Sequence, residues 1–310
     1  VSSLARAEEI LRSAAGDRTR TRYPLAPLTT FRIGGPAALY LEAETDDDLA
    51  AAGRAAAESG LPVLVLGKGS NVLVSDEGFP GIVLRLGKPF RWAAREGTDL
   101  VAGGGMPLPA LANVALAHRL AGIEFGVAIP ATLGGAVRMN AGAHGRSMSD
   151  VLAGIELFEL SAGTRRWLEP DQAAFAYRSS ALPGGAVVVG ARVGLVPGEH
   201  DEIRRHMDEA RDWRRATQPL AQPNCGSVFK NPAGDHAARL VEAAGAKGLR
   251  VGGAEVSQKH ANFIVADPGA TAADVVALIR TVQARVESEF GIDLETEVRF
   301  VGDFQAARTG

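Results

Sequence analysis

The chain has 310 residues, 46% of them hydrophobic and 22% charged, with a formal net charge of -3 spread over both signs. This is an ordinary folded protein of about two or three domains, neither disordered nor fibrous, with no basic footprint for nucleic acid and no polybasic membrane patch. A single cysteine excludes an internal disulfide framework, and no apolar run approaches the roughly 20 residues that span a bilayer.

The opening "VSSLARAEEILRSAAGD" carries Glu8, Glu9 and Arg12 where a secretory signal would need an apolar core. It reads as an amphipathic helix, which makes the cytoplasm the expected location and small molecules the expected partners, with no obligate protein partner in evidence. Next, "PAALYLEAE" predicts a strand. "DDDLAAAGRAAAESG" predicts a helix with acid in its first turn and Gly60 at its end, and "PVLVLG" a buried strand.

From Gly81 to about Val196 the pattern changes to short apolar runs broken by glycine-rich loops, among them "IVLRL", "VLAGIELFEL" and "AVVVGARVGLV". These predict a sheet-rich region. Ile203, Met207, Ala210 and Trp213 then recur at helical spacing. Beyond them come a helix in "DHAARLVEAAG", a strand in "HANFIVA", a long helix in "TAADVVALIRTVQARVESEFG" and a strand in "LETEVRFVG". The expected domains are therefore 1–88, 89–205 and 206–310.

Three glycine-rich loops stand out: "FRIGGPA" at 31–37, "LGKGSNVLVSD" at 66–76 and "AIPATLGGAVRMNAGAHG" at 128–145. Glycine lets successive backbone N–H groups approach and bind phosphate oxygens, so several such loops point to a diphosphate cofactor. The plain alternative is that the glycines only make turns. "GKGSNV" lacks the third glycine of the dinucleotide fingerprint, and no Walker A sequence occurs. The six histidines show no metal-ligand spacing, so no metal is expected. A fourth loop, "PNCGSVFKNP" at 223–232, holds the lone Cys225 two residues before Ser227.

In this order, "TTFRIGG", "LGKGSNVLVSD", "GGAVRMNAGAHG", "YRSS", "NCGSVFKNP", "VGGAEVSQKHANFIV" and "LETEVRF" resemble the UDP-N-acetylenolpyruvoylglucosamine reductases, from about residue 24 to 302. The interval from Arg178 to Ser227 is short, as in the family's second type, which lacks an extra tyrosine-bearing loop. The resemblance implies an α+β fold. A two-subdomain FAD-binding region of the vanillyl-alcohol-oxidase type would be followed by a smaller α/β substrate-binding domain. It also implies NADPH as co-substrate, and completion of UDP-N-acetylmuramate for peptidoglycan as the function. Ala128 and Ala131 stand where the family usually has glycine; if those positions require positive φ, alanine costs on the order of 1 kcal/mol.

Reducing an enolpyruvyl ether by hydride leaves an enolate, which must be held and then protonated on carbon. By resemblance Arg178 is the clamp, Ser227 the proton donor and Glu297 the third catalytic group. Glu297 is either balanced by a cation such as Arg178 or Arg299, or held as the neutral acid. Gly67, Gly69, Ser70 and Asn71 are expected at the FAD pyrophosphate, with Arg32, Gly135 and Asn140 close to the flavin. Tyr177, Gln218, Lys230 and Asn231 are expected at the substrate. Cys225, with no histidine near it in sequence, reads as a structural thiol.

Each assignment has a bland rival: a surface arginine at a strand end, a turn serine, a solvated glutamate alternating with Arg299 on a strand. Two rival functions also remain open, another FAD-dependent oxidoreductase of the same fold and a non-catalytic nucleotide-sugar binder.

Overall fold

The computed structural model describes residues 2–304, and these form two compact units between which the chain passes repeatedly. The first holds the residues up to Arg22 together with Ala38–Lys68 and Gly81–Arg214. The second holds Tyr23–Ala37, Gly69–Pro80 and the chain from Arg215 onward.

Two helices open the first unit. Ser2 caps Ser3–Ala15 by accepting the Ala5 N–H, and Thr45 caps Asp46–Ser59 through a reciprocal box with Asp48. Gly60 ends the second helix at a left-handed φ of 72°, the place the sequence predicts. The helices pack on each other, and their Ala7, Leu11, Leu49 and Ala52 share a core with Leu39, Leu41, Ile82 and Leu84 of a four-stranded sheet. Its order is Thr19–Pro24, Pro36–Ala43, Phe79–Leu86, Val63–Val65. Glycine at position 53 lets the helix lie against the Leu160 carbonyl, which a β-carbon would strike at 1.9 Å.

A five-stranded antiparallel sheet follows in the order Thr164–Leu168, Leu152–Glu159, Ala186–Gly194, Asp99–Gly103, Ala93–Glu96. The helices Leu108–Ala117 and Leu133–Arg138 bury Leu111, Ala115, Leu133 and Val137 against Leu100, Ile155, Leu157 and Val188 of that sheet. Of the predicted stripe at helical spacing, Ile203, Met207 and Ala210 are buried in this same core. Trp213 is not. It lies in the last turns of His200–Thr217, beyond the core, 48% exposed and edge-on to His144 at 5.1 Å.

The second unit carries a four-stranded antiparallel sheet, Asn224–Ser227, Phe263–Ala266, Ala254–Val256, Arg250–Val251, covered by Ala237–Ala243 and Ala272–Phe290. Phe31, Ile33 and Leu73, distant in sequence, complete its core. Arg299–Val301 pairs in parallel with Val72–Val74. The strand predicted over "LETEVRFVG" is thus shorter than expected. Residues 295–298 pair irregularly with 228–230 before the chain changes partner, so regular strand begins only at Arg299. No described helix is long and apolar enough to cross a membrane.

Candidate active site

The loop 223–232 is shaped by Asn224. Its Oδ1 accepts the Gly226 N–H at 2.9 Å, and its Nδ2 donates to the carbonyls of Gln222 at 2.8 Å and Pro219 at 3.2 Å. Gly226 then turns with φ 79°, which sets Ser227 at the end of its strand. Cys225 is 1% exposed in the core, and burial pushes its thiol far above the ordinary range. A thiol kept protonated by its surroundings is no nucleophile.

The peptide after Ser227 is bound on both sides. Val228 donates its N–H to the Asn262 carbonyl at 2.9 Å, and its own carbonyl accepts the Glu297 N–H at 2.7 Å. Lys230 donates its N–H to the Glu295 carbonyl at 2.9 Å. Ser227 and Glu297 therefore come onto adjacent segments, both half-buried. Asn71 joins them: its Nδ2 donates to the Glu297 carbonyl at 3.1 Å and its own carbonyl accepts the Arg299 N–H at 3.0 Å. A β-carbon on Gly226 would lie 3.8 Å from the Ser70 carbonyl. Two residues expected at the cofactor and two expected in the chemistry thus meet within the second unit.

Among the expected substrate residues, Gln218 lines a cavity of about 440 Å³ with Arg215, Leu220, Glu255, Ser257 and Lys259. The Lys230 ammonium is paired with the Glu295 carboxylate, and Asn231 Oδ1 accepts the N–H of Ala237, the first residue of its helix, at 3.0 Å.

Arg178 belongs to the first unit, on a tight turn in which Ala176 and Ser179 exchange N–H···O bonds of 3.1 Å both ways. Its guanidinium lies 5.0 Å from the Tyr177 ring centroid, in cation–π range. Asn140, expected near the flavin, spends its carboxamide on protein. Oδ1 accepts the Ser149 N–H at 2.9 Å, and Nδ2 donates at 3.0 Å to the Ala176 carbonyl of the Arg178 turn. Seven described non-glycine residues have positive φ, and Arg32 (57°), Asn140 (42°) and Arg178 (56°) are three of them. Backbone strain of this kind gathers at functional sites.

The loop expected at the pyrophosphate carries backbone donors of its own. The N–H groups of Gly69, Ser70 and Asn71 reach no acceptor among the described residues, and Gly69 turns at φ 64°. Consecutive unengaged N–H groups beside a left-handed residue suit an anion. Gly69 cannot be replaced freely, since a β-carbon would sit 2.3 Å from the Leu28 carbonyl. Gly67 is tight for another reason: its β-carbon would meet Thr132 Oγ1 at 2.7 Å. Gly135 offers no free donor, because its N–H caps onto Thr132 Oγ1 at 3.2 Å. The Arg32 guanidinium is exposed and makes no ion pair among the described residues.

Ala128 and Ala131 both keep negative φ, so alanine brings no backbone strain there. One glycine run escaped the sequence reading. Gly103, Gly104 and Gly105 let 188–189 and the turn at Phe90 pack directly on this backbone, and Gly104 accepts the Gly134 N–H at 2.8 Å. The signal was the triplet itself. Among the described residues no three His, Cys, Asp or Glu side chains gather as a metal group.

A family model described as UDP-N-acetylenolpyruvoylglucosamine reductase, C-terminal domain, matches residues 218–301, and one described as FAD binding domain matches residues 37–169. A UDP-N-acetylenolpyruvoylglucosamine reductase from Anaeromyxobacter sp. (strain Fw109-5) is 49% identical over 298 residues, 96% of this chain and 93% of that protein. The chain belongs to the UDP-N-acetylenolpyruvoylglucosamine reductase family. The reductase of that name from Halalkalibacterium halodurans is 40% identical over 95% of this chain and 98% of that one. The crystal structure of the Thermus caldophilus reductase superimposes with a TM-score of 0.80 at 38% identity, covering 91% of this chain and 99% of that chain. A berberine bridge enzyme variant, at 13% identity and a TM-score of 0.50 over 64% of this chain, shares the fold alone. The α+β architecture expected from the motifs is thus that of the reductase family, an FAD-binding region followed by its C-terminal domain.

Proposed function

We propose that this chain reduces the enolpyruvyl ether of UDP-N-acetylenolpyruvoylglucosamine to UDP-N-acetylmuramate with NADPH, a step of peptidoglycan synthesis. The observation that carries this reading is family membership along 96% of the chain, joined to the meeting of Asn71, Ser227 and Glu297 in one unit. FAD, when bound, supplies the relay that takes hydride from NADPH and delivers it to the enolpyruvyl carbon. Gly67, Gly69, Ser70 and Asn71 would hold its diphosphate, Asn71 by its N–H because its side chain is engaged. Arg32 and Gly135 are assigned to the flavin's neighbourhood, and Asn140 to it only through the turn it ties.

Hydride delivery makes the neighbouring carbon and its carboxylate electron-rich. Arg178 fixes and neutralises that carboxylate, and its strained backbone supports a role beyond surface filling. Ser227 then gives its hydroxyl proton to carbon. A hydroxyl is a weak acid, but an enolate held against it is a strong enough base. Glu297 is the third group, tied by backbone to Val228 and Asn71. Tyr177, Gln218, Lys230 and Asn231 are assigned to the nucleotide sugar. The first unit reads as two subdomains divided in sequence near residue 88, the second lending Phe158, Leu160, Val187 and Val189 to the core of the first. The substrate domain reads as the chain from about residue 206, whose leading helix still packs Met207 and Ala210 into the first unit. The reading places the enzyme in the cytoplasm.

The test is direct. The purified protein should be yellow, bleach with NADPH in the absence of oxygen and regain colour only with the enolpyruvyl nucleotide. Recolouring by an unrelated acceptor would favour another oxidoreductase of this fold, and no bleaching at all a non-catalytic binder.

A further inference from the structure

The segment "KHANFIV" carries a residue to which the reaction has assigned nothing. Asn262 is 4% exposed, beside Val228, Phe229, Ala261 and Ile264 of the core. A buried carboxamide is costly unless its donor and acceptor are both matched. A single residue matches both here: Oδ1 accepts the Phe229 N–H at 2.9 Å, and Nδ2 donates to the Phe229 carbonyl at 2.8 Å. The Asn262 carbonyl accepts the Val228 N–H at 2.9 Å as well.

This replaces a strand. The ladder between Asn224–Ser227 and Phe263–Ala266 is irregular, with a register shift before Ser227 pairs with Phe263. Past Ser227 the side chain of Asn262 continues it, presenting a donor and an acceptor as a neighbouring peptide group would. On the opposite side the Val228 carbonyl holds the Glu297 N–H, and the Lys230 N–H holds the Glu295 carbonyl.

We infer that Asn262 is a positioning residue: through the backbone of Val228 and Phe229 it sets Ser227 and Glu297 relative to one another, without touching substrate. The inference rests on the reading of Ser227 and Glu297 as reacting groups.

The test uses the FAD-loaded enzyme with Asn262→Leu, of the same branching and heavy-atom count, and the isosteric Asn262→Asp, which keeps an acceptor for the Phe229 N–H but loses the donor to its carbonyl. Hydrogen exchange followed by mass spectrometry should rise about tenfold in both 227–231 and 294–299 of Asn262→Leu, and not in 250–256. Recolouring by the enolpyruvyl nucleotide should slow roughly 10- to 100-fold, as small misplacements do, with bleaching by NADPH unchanged. Asn262→Asp should shift the same readouts in the same direction by less, and it carries the test if Asn262→Leu does not fold. Unchanged protection at 294–299, or equal slowing of bleaching and recolouring, would overturn the inference. Ser227→Ala is measured alongside. If it recolours normally, the reading of Ser227 fails, while the exchange data still judge the link from Asn262 to 294–299.

Discussion

The Asn71 carboxamide donates to the backbone carbonyl of Glu297 at 3.1 Å, a hydrogen bond between residues 226 apart in sequence. It ties the loop assigned to the cofactor diphosphate to a group assigned to the chemistry. Asn71→Ala should cost about 0.5–1.5 kcal/mol of stability by urea titration, the worth of one hydrogen bond. It should also slow recolouring by the enolpyruvyl nucleotide more than bleaching by NADPH. Equal effects on the two would mean that the bond serves the fold alone.

Ser227→Ala should leave bleaching by NADPH nearly untouched, because no carbanion forms there, and slow recolouring by about 10²- to 10⁴-fold. Cys225→Ala should spare both. Its thiol lies 1% exposed in the core, and burial keeps it protonated. Stopped-flow absorbance separates the two half-reactions. A Cys225→Ala enzyme that bleaches but cannot recolour would reverse the assignment.

Gly69→Ala places a β-carbon 2.3 Å from the Leu28 carbonyl at a φ of 64°. The left-handed conformation alone costs a non-glycine residue about 1–2 kcal/mol, and the clash adds to it by shifting the loop. The purified variant should carry less flavin per chain than the parent, read from visible absorbance after gel filtration. Full flavin content would show that the N–H groups of 69–71 do not hold the diphosphate.

Asp48 is 1% exposed and accepts from the backbone N–H groups of Glu44 at 2.7 Å and Thr45 at 3.0 Å, and from Arg18 Nη2 at 3.0 Å. Burial opposes its ionisation, but Arg18 and the two N–H groups outweigh it and hold the carboxyl below the ordinary range. Such a group contributes stability above its unfolded pKa and loses it as pH falls through the lower folded value. Asp48→Asn should therefore cost about 1–3 kcal/mol at neutral pH. The gap from the parent should narrow on acidification below about pH 4. A gap independent of pH would mean that the charge contributes nothing.

Asn140 joins Ser149 to the turn that carries Arg178, and both its polar atoms are matched inside the protein. Asn140→Leu removes the partner of the half-buried Ser149 N–H and of the Ala176 carbonyl, hydrogen bonds worth about 0.5–1.5 kcal/mol each. Its Tm should fall, and the KM for the enolpyruvyl nucleotide should rise more than that for NADPH. An unchanged KM for the nucleotide would detach this turn from substrate binding.

Much of this was readable in the residues, because local chemistry decided it. Thr45 with Asp48 and Thr271 with Asp274 mark helix starts by capping boxes, and Gly60 and Gly291 mark ends by left-handed turns. What failed depends on distant partners. "LETEVRF" alternates like a strand, yet the backbone of 228–230 claims its first half and Val72–Val74 its second. Trp213 keeps helical spacing but lies past the end of the core its helix covers. The side-chain bonds of Asn140 likewise run to residues 9 and 36 positions away, which its own loop does not announce. Asn262 had no signal beyond being polar in an apolar run.

The pairing of Val72–Val74 with Arg299–Val301 bears on how the protein is made. Parallel pairing between segments so far apart closes a very long loop, and such contacts form late and slowly. The early strand must wait on the ribosome, its edge open, until residue 301 has been synthesised. Cutting the gene at a sequence boundary would not give a self-sufficient C-terminal fragment, because residues 218–301 alone lack Phe31, Ile33 and Leu73 of their own core. Supplying 23–80 as a separate peptide should rescue such a fragment, and chain breaks that spare both segments should be tolerated far better than their number of missing bonds suggests.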